Sequence, residues 1–300
     1  MDRYNGLLNV YKEKGYTSFD VVAVLRGILK QKKIGHTGTL DPDAEGVLLV
    51  CLGRGTKLCD MLENHDKTYK CKMILGKTTD TDDISGNIIS DCQADVSQKQ
   101  VIDVIKSFVG EINQIPPMYS AIKINGKKLY ELAREGKTIE RKPKKITIYD
   151  IFDINIQLPY IIFSVACSKG TYIRSLCRDI GEKLGVGGTM CELVRTKASG
   201  FLSEEALKLD DIKEIANRDE ISKYIIPVEK VFDSYTKLHV KEEADKMLMN
   251  GNPLLSYDFI ENIELVDEAK YSIYSFDGRF IAIYKYSSDK EKLMPDKMFL

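Results

Sequence analysis

Apolar residues recur at helical spacing over residues 17–31. Val21, Val22, Val24, Leu25, Ile28 and Leu29 share one face, and Thr17 or Ser18 supplies an N-cap. The end of this predicted helix is basic, with Arg26, Lys30, Lys32 and Lys33. A glycine-rich loop over 35–46 then feeds the unbroken apolar run Val47-Leu48-Leu49-Val50-Cys51-Leu52, the pattern of a buried strand. Alternation at 69–75 predicts another strand. A second helix is expected over 98–109, with Val101, Ile105 and Phe108 inward and Gly110 as its stop. Residues 111–145 read as an excursion in which Pro116-Pro117 breaks regular structure and a short helix falls near 128–135. Strands are expected at 146–156 and 160–168, parted by Pro159. A helix over about 172–184 ends at Gly185, and Gly187-Gly188 opens a strand through Leu193 and Val194. Two β-rich runs, 271–276 and 279–286, flank Asp277-Gly278, a hairpin signal. The pattern divides the chain into a domain over 1–232 and a small β-rich domain over 233–300, after a break near Pro227.

Composition narrows the class. The 300 residues suit one large domain plus a small one. No stretch approaches the roughly 20 apolar residues that a membrane span needs. The first residues, Met1-Asp2-Arg3-Tyr4-Asn5-Gly6, are polar and carry no leader pattern, so a cytoplasmic protein is expected. The cysteines at 51, 59, 71, 92, 167, 177 and 191 form no Cys-x-x-Cys pair and read as reduced thiols. The only histidines are His36, His65 and His239. None has metal-ligand spacing to a cysteine pair, which argues against a zinc site.

Net charge is −1, but it is unevenly spread. Residues 201–270 hold 17 acids and 9 bases, whereas 123–145 hold nine Lys/Arg against three Glu. Basic charge therefore gathers where an RNA could use it. A solvated surface of ordinary lysines explains the same numbers.

The segment Gly35-His36-Thr37-Gly38-Thr39-Leu40-Asp41-Pro42-Asp43-Ala44-Glu45-Gly46 holds the candidate chemistry. Glycines let backbone approach a ligand, and a carboxylate beside a rigid strand can act as nucleophile or base. From residue types alone, an ordinary Asp-Pro turn is the stronger reading. Gly53-Arg54-Gly55-Thr56-Lys57 lacks the spacing of a phosphate loop and reads as a turn into the next helix.

The glycine-rich segment resembles the signature of the TruB family of tRNA pseudouridine synthases. Further segments match in the family's order: Lys67-Thr68-Tyr69; Ile115-Pro116-Pro117-Met118-Tyr119-Ser120-Ala121-Ile122-Lys123, continued by Gly126-Lys127-Lys128-Leu129-Tyr130; Ser168-Lys169-Gly170-Thr171-Tyr172-Ile173-Arg174; and Leu193-Val194-Arg195-Thr196. The similarity spans roughly 4–225. One departure stands near the N-terminus. Lys12-Glu13-Lys14-Gly15-Tyr16-Thr17-Ser18 has Glu13 where many members carry a stiffening proline.

The resemblance implies an α/β (α+β) fold: a catalytic domain on a mixed, largely antiparallel sheet, an RNA-gripping insertion at about 111–145, and a C-terminal PUA-like domain. It implies isomerisation of uridine 55 in the T-loop of tRNA, with Asp41 as nucleophile and the base flipped out. Arg174 would pair with Asp41 in a bidentate ion pair. Spacing alone reads Arg174 as a structural salt bridge near Arg178 and Asp179. Tyr69 would stack on the uracil; with 16 tyrosines in the chain, a core ring is the plain alternative. Tyr172 would contact base or ribose and take part in proton transfer, and Leu193 would wall the pocket. His36, by residue type a metal ligand, a base or an RNA contact, would stack in the space the uridine leaves. The resemblance also implies no cofactor, a monomer with no obligatory protein partner, and contact with the tRNA acceptor arm. Two rivals stand beside it: a guide-RNA-dependent synthase of the rRNA-modifying branch, and an RNA chaperone that assists tRNA folding.

Overall fold

The computed structural model describes residues 2–120, 122–124 and 126–300. Met1, Asn125 and Ala121, the last within the matched 115–123 segment, lie outside the described residues.

Strand β1 (Gly6–Lys12) leads to helix α1 (Ser18–Leu29). Thr17 caps α1. Its hydroxyl accepts from the Asp20 amide at 3.0 Å, and the Asp20 carboxylate accepts from the Thr17 amide at 2.8 Å. Val21, Val22, Leu25 and Leu29 are buried, but Val24 is exposed. At 100° per residue it sits about 115° from the centre of the buried stripe.

The expected 35–46 loop is shorter than its composition suggests. Ile34–Thr37 forms β2, antiparallel to β3 (Glu45–Leu52), with His36 opposite Val50. Helix α2 (Cys59–Glu63), strand β4 (Lys67–Leu75), the hairpin β5 (Lys77–Thr79) and β6 (Ile88–Asp91), and helix α3 (Gln98–Lys106) follow. Helix α3 ends at Lys106, earlier than expected. Gly110, at φ +114°, opens β7 (Gly110–Gln114) instead of stopping the helix.

The basic excursion keeps β8 (Lys123–Ile124), β9 (Lys127–Lys128) and α4 (Leu129–Arg134). Strand β10 (Lys144–Gln157) pairs Lys144 with Gln114 and Ile148 with Gly110. That ladder draws 111–114 and 144–145 out of the excursion and into the main sheet. Then come β11 (Tyr160–Cys167), α5 (Ile173–Leu184), β12 (Gly188–Ala198), β13 (Phe201–Leu202) and α6 (Leu209–Asn217). Gly185 closes α5 in the left-handed conformation at φ +76°.

The main sheet runs β1-β3-β12-β4-β11-β10-β7, with β2 beside β3 and β13 beside β12. Its pairings are antiparallel except for β3 with β12. That parallel contact depends on Gly46, at φ +104°, where a Cβ would lie 2.3 Å from the Arg195 carbonyl oxygen. One core packs α3 and α5 on β4, β10, β11 and β12, and a second packs α1 and α6 on β1 and β3.

The tail forms β14 (Thr236–His239), α7 (Glu242–Met249), β15 (Lys270–Tyr274), β16 (Phe280–Ser287) and β17 (Lys292–Met298). Its four strands make a separate sheet around Leu238, Ile273, Ala282 and Leu293. Phe280 and Phe299 of the tail pack on Phe232, in one cluster with Leu7, Leu49 and Cys51 of the main sheet. Among the described residues, no helix is long and apolar enough to cross a membrane.

Candidate active site

The loop over residues 38–44, between β2 and β3, carries Asp41 and is pinned from three sides. Ser18 Oγ accepts from the Leu40 amide at 2.9 Å and donates to the Leu40 carbonyl at 3.2 Å. Lys12 Nζ donates to the carbonyls of Pro42 at 3.1 Å, Tyr16 at 2.6 Å and Glu13 at 3.1 Å. The turn that lacks proline at position 13 is thus held by a buried ammonium. Burial pushes that ammonium down to about 8, and the nearby acids Glu45, Asp41 and Asp43 pull the other way. From the third side, Arg195 donates from Nε to the Val47 carbonyl at 2.7 Å and from Nη2 to the Gly38 carbonyl at 3.0 Å.

Asp41 meets Arg174 through one oxygen, Oδ2 to Nη2 at 3.0 Å. The expected bidentate pair is absent because Arg174 is shared. Nη1 faces Asp83 Oδ2 at 3.4 Å and the Thr81 carbonyl at 3.3 Å, while Nη2 also donates to the Tyr119 carbonyl at 2.8 Å. Arg174 is buried, whereas the Asp41 side chain remains 44% exposed at the cavity mouth. Crowding by protein pushes the Asp41 carboxyl above its ordinary pKa. Arg174 pulls it down and Asp83 pushes it further up. The structural salt bridge on this helix belongs to Arg178, which pairs with Asp82 at 3.0 Å and Asp179 at 2.7 Å.

Tyr172 is the N-cap residue of α5. The Gln114 side chain holds its backbone from both sides, Oε1 accepting from the Tyr172 amide at 2.8 Å and Nε2 donating to its carbonyl at 3.0 Å. Burial raises the Tyr172 phenol pKa, against the pull of Ser120 and Arg174. Tyr69 is buried on β4, with its phenol pushed up by burial and held back by Arg195.

Asp41, Tyr69, Tyr172, Arg174 and Leu193 line one cavity of about 110 Å³. It opens beside a cleft of about 790 Å³ whose walls carry Lys67, Lys144, Lys145, Lys169 and Arg195. His36 lies on β2 and lines neither space. Its Nδ1 is enclosed without a partner among the described residues, and burial together with Arg195 pushes its pKa down, favouring the neutral ring. Among the described residues, no group of three His, Cys, Asp or Glu could hold a metal ion.

Sequence reasoning missed Asp83, Gln114 and the clamping roles of Lys12, Ser18 and Arg195. Lys12, Ser18 and Arg195 stood in segments the family resemblance touches, Lys12–Ser18 and Leu193–Thr196, without any sign of clamping, and Asp83 carried its own signal, the dense run Thr78-Thr79-Asp80-Thr81-Asp82-Asp83 following β4.

Residues 26–173 match the model of the TruB family pseudouridylate synthase N-terminal domain, and residues 174–233 match that of the tRNA pseudouridylate synthase B C-terminal domain. The chain belongs to the TruB family of pseudouridylate synthases. Its TruB relatives include the tRNA pseudouridine synthase B of Lachnoclostridium phytofermentans, 50% identical over 99% of this chain and 100% of the relative. That of Clostridium tetani is 45% identical, covering 97% and 98%. Among solved structures, a chain of a Cbf5-Nop10-Gar1 complex aligns with TM-score 0.72 and 29% identity, covering 98% of this chain and 85% of that one. A chain of an H/ACA RNP bound to a substrate RNA containing 2′-deoxyuridine aligns with TM-score 0.71 and 27% identity, covering 98% and 85%. Membership makes this TruB chain a pseudouridine synthase, an isomerase.

Proposed function

We propose that this chain isomerises uridine 55 in the T-loop of tRNA to pseudouridine, with Asp41 as nucleophile on a uridine flipped out of the stack. The observation that carries the reading is the cavity in which Asp41, Tyr69, Tyr172, Arg174 and Leu193 meet. The curated relatives at 45–50% identity are named as tRNA enzymes, which favours tRNA over the guide-RNA rival.

The reaction breaks the N1–C1′ bond, turns the uracil and joins C5 to C1′; C5 then gives up its proton to water and N1 takes one up, so that the product is an isomer of the substrate. Both bonds share C1′, so one anchored carboxylate can serve both steps. Arg174 keeps Asp41 aimed. Tyr69 offers a ring to the uracil and Leu193 an apolar wall that excludes water. The raised phenol pKa keeps Tyr172 protonated near neutrality, as a donor to the base or ribose. His36, neutral and outside the cavity, suits stacking in the helix space that the uridine vacates.

We assign residues 1–232 to catalysis and 233–300 to a PUA-like unit that contacts the acceptor arm. We further propose a monomer acting without a protein partner, in the cytoplasm with its substrate. The test is carbodiimide mapping of an unmodified tRNA transcript after incubation with the purified protein. A reverse-transcription stop at the T-loop uridine is expected, and no stop there rejects the substrate assignment.

A further inference from the structure

Lys67 and Arg195 approach each other without an acid between them. Arg195 is 1% exposed, and its hydrogen bonds run to the carbonyls of Val47 and Gly38. Lys67 Nζ donates to the carbonyls of Glu63 and His65, both at 2.8 Å. Among the described residues, neither cation forms a salt bridge within 4.0 Å. Burial and the Arg195 charge both push the Lys67 pKa down.

Gly38 lies between the two. Its φ is +72°, and a Cβ there would stand 3.5 Å from Lys67 Cε and 3.6 Å from Arg195 Nη1. Lys67, Gly38 and Arg195 line the wider cleft together with Asp41. Lys67 keeps one of its three protons uncommitted, while Arg195, which also faces the Tyr69 phenol, adds its charge from behind the wall. Two like charges held at a desolvated wall repel each other, and an anion set between them supplies the missing counter-charge.

We propose that the Lys67–Gly38–Arg195 wall is a phosphodiester subsite that seats the backbone beside the flipped nucleotide. This rests on the RNA-isomerase reading above and adds to it one contact of defined chemistry. A phosphodiester fits because it brings a single negative charge and acceptor oxygens only, matching the spare Lys67 proton and the two positive charges behind it.

The test uses stem-loop RNAs containing the target uridine, each with one neutral methylphosphonate linkage, titrated against the full-length protein. One linkage adjoining the uridine is expected to weaken wild-type binding about tenfold, the scale of one charged hydrogen bond. Lys67→Met should bind the all-phosphate RNA about tenfold less tightly and lose most of the sensitivity to that linkage, keeping only the share that the Arg195 charge supplies. Its slope of log affinity against log salt should fall by about one counterion. Lys67→Arg should keep the linkage sensitivity. The proposal is overturned if no adjoining linkage costs the wild type more than about twofold. It is equally overturned if Lys67→Met stays as sensitive as wild type. Isomerisation of the all-phosphate RNA is scored in parallel. Its presence without a linkage effect rejects the subsite alone, and its absence rejects the functional reading.

Discussion

Arg174 meets Asp41 through a single nitrogen, Nη2 to Oδ2 at 3.0 Å, because its other nitrogen is turned to Asp83 at 3.4 Å. One guanidinium therefore spans two carboxylates and the carbonyls of Thr81 and Tyr119. An ammonium cannot reproduce that planar fork. Arg174→Lys is expected to lower kcat by about a hundredfold or more while KM changes by less than about threefold. Single-turnover isomerisation with a parallel binding titration checks this. A kcat near the wild-type value would remove Arg174 from the account.

The pH dependence has a definite sign. Crowding by protein and the Asp83 charge raise the Asp41 pKa, and Arg174 lowers it. The reactive carboxylate is lost as pH falls through the raised value, so the acid limb of the rate should lie above that of an exposed aspartate. Asp83→Asn removes a neighbouring negative charge and should move the limb to lower pH. Rate profiles of wild type and variant decide the matter, and an upward shift would contradict the assignment.

Lys12 links stability to alkaline pH. Its ammonium is buried, and its pKa lies near 8 instead of 10.5. A base whose folded pKa is depressed contributes stability above its unfolded pKa, and that contribution is lost as pH falls through the folded pKa. Between these values the unfolded chain binds the extra proton. The stability of wild type relative to Lys12→Met should therefore rise from pH 8 to pH 10.5, with a slope of up to about 1.4 kcal/mol per pH unit. Urea unfolding of both proteins across that range measures it, and a flat difference would refute it.

Gly46 has no room for a side chain. A Cβ would meet the Arg195 carbonyl at 2.3 Å, at a φ of +104°. Backbone cannot swing aside as a flexible side chain can, so Gly46→Ala is expected to cost about 3 kcal/mol or more. Denaturant unfolding gives the value. A loss under about 1 kcal/mol would mean that β3 and β12 can part cheaply.

Some of this architecture was legible because it is local. Helix α5 announced itself through an amphipathic stripe and the glycine that caps it, and the tail hairpin through Asp277-Gly278. Tyr172 and Arg174 sit two residues apart in one contiguous segment, so a motif could carry both. The supports of the site escaped because they are tertiary. Gln114 reaches the Tyr172 backbone across 58 residues of chain, and Ser18 reaches Leu40 across 22. No periodicity encodes such a contact. Strand β2 was hidden for another reason. Ile34-Gly35-His36-Thr37 has no apolar alternation and is a strand only because β3 offers it a ladder. The one-sided Asp41–Arg174 contact also needed coordinates, since Asp83 competes from a segment that spacing does not connect to either residue.

Tritium release from tRNA labelled at C5 of uridine tests the central claim most directly, because the C5 hydrogen leaves only when the new glycosidic bond forms. Wild-type protein in excess should release the label from the T-loop uridine in one exponential phase. Asp41→Asn, which keeps the size of the side chain and removes its charge, should release none above the enzyme-free control. Release by Asp41→Asn within about tenfold of the wild-type rate would contradict a nucleophilic Asp41.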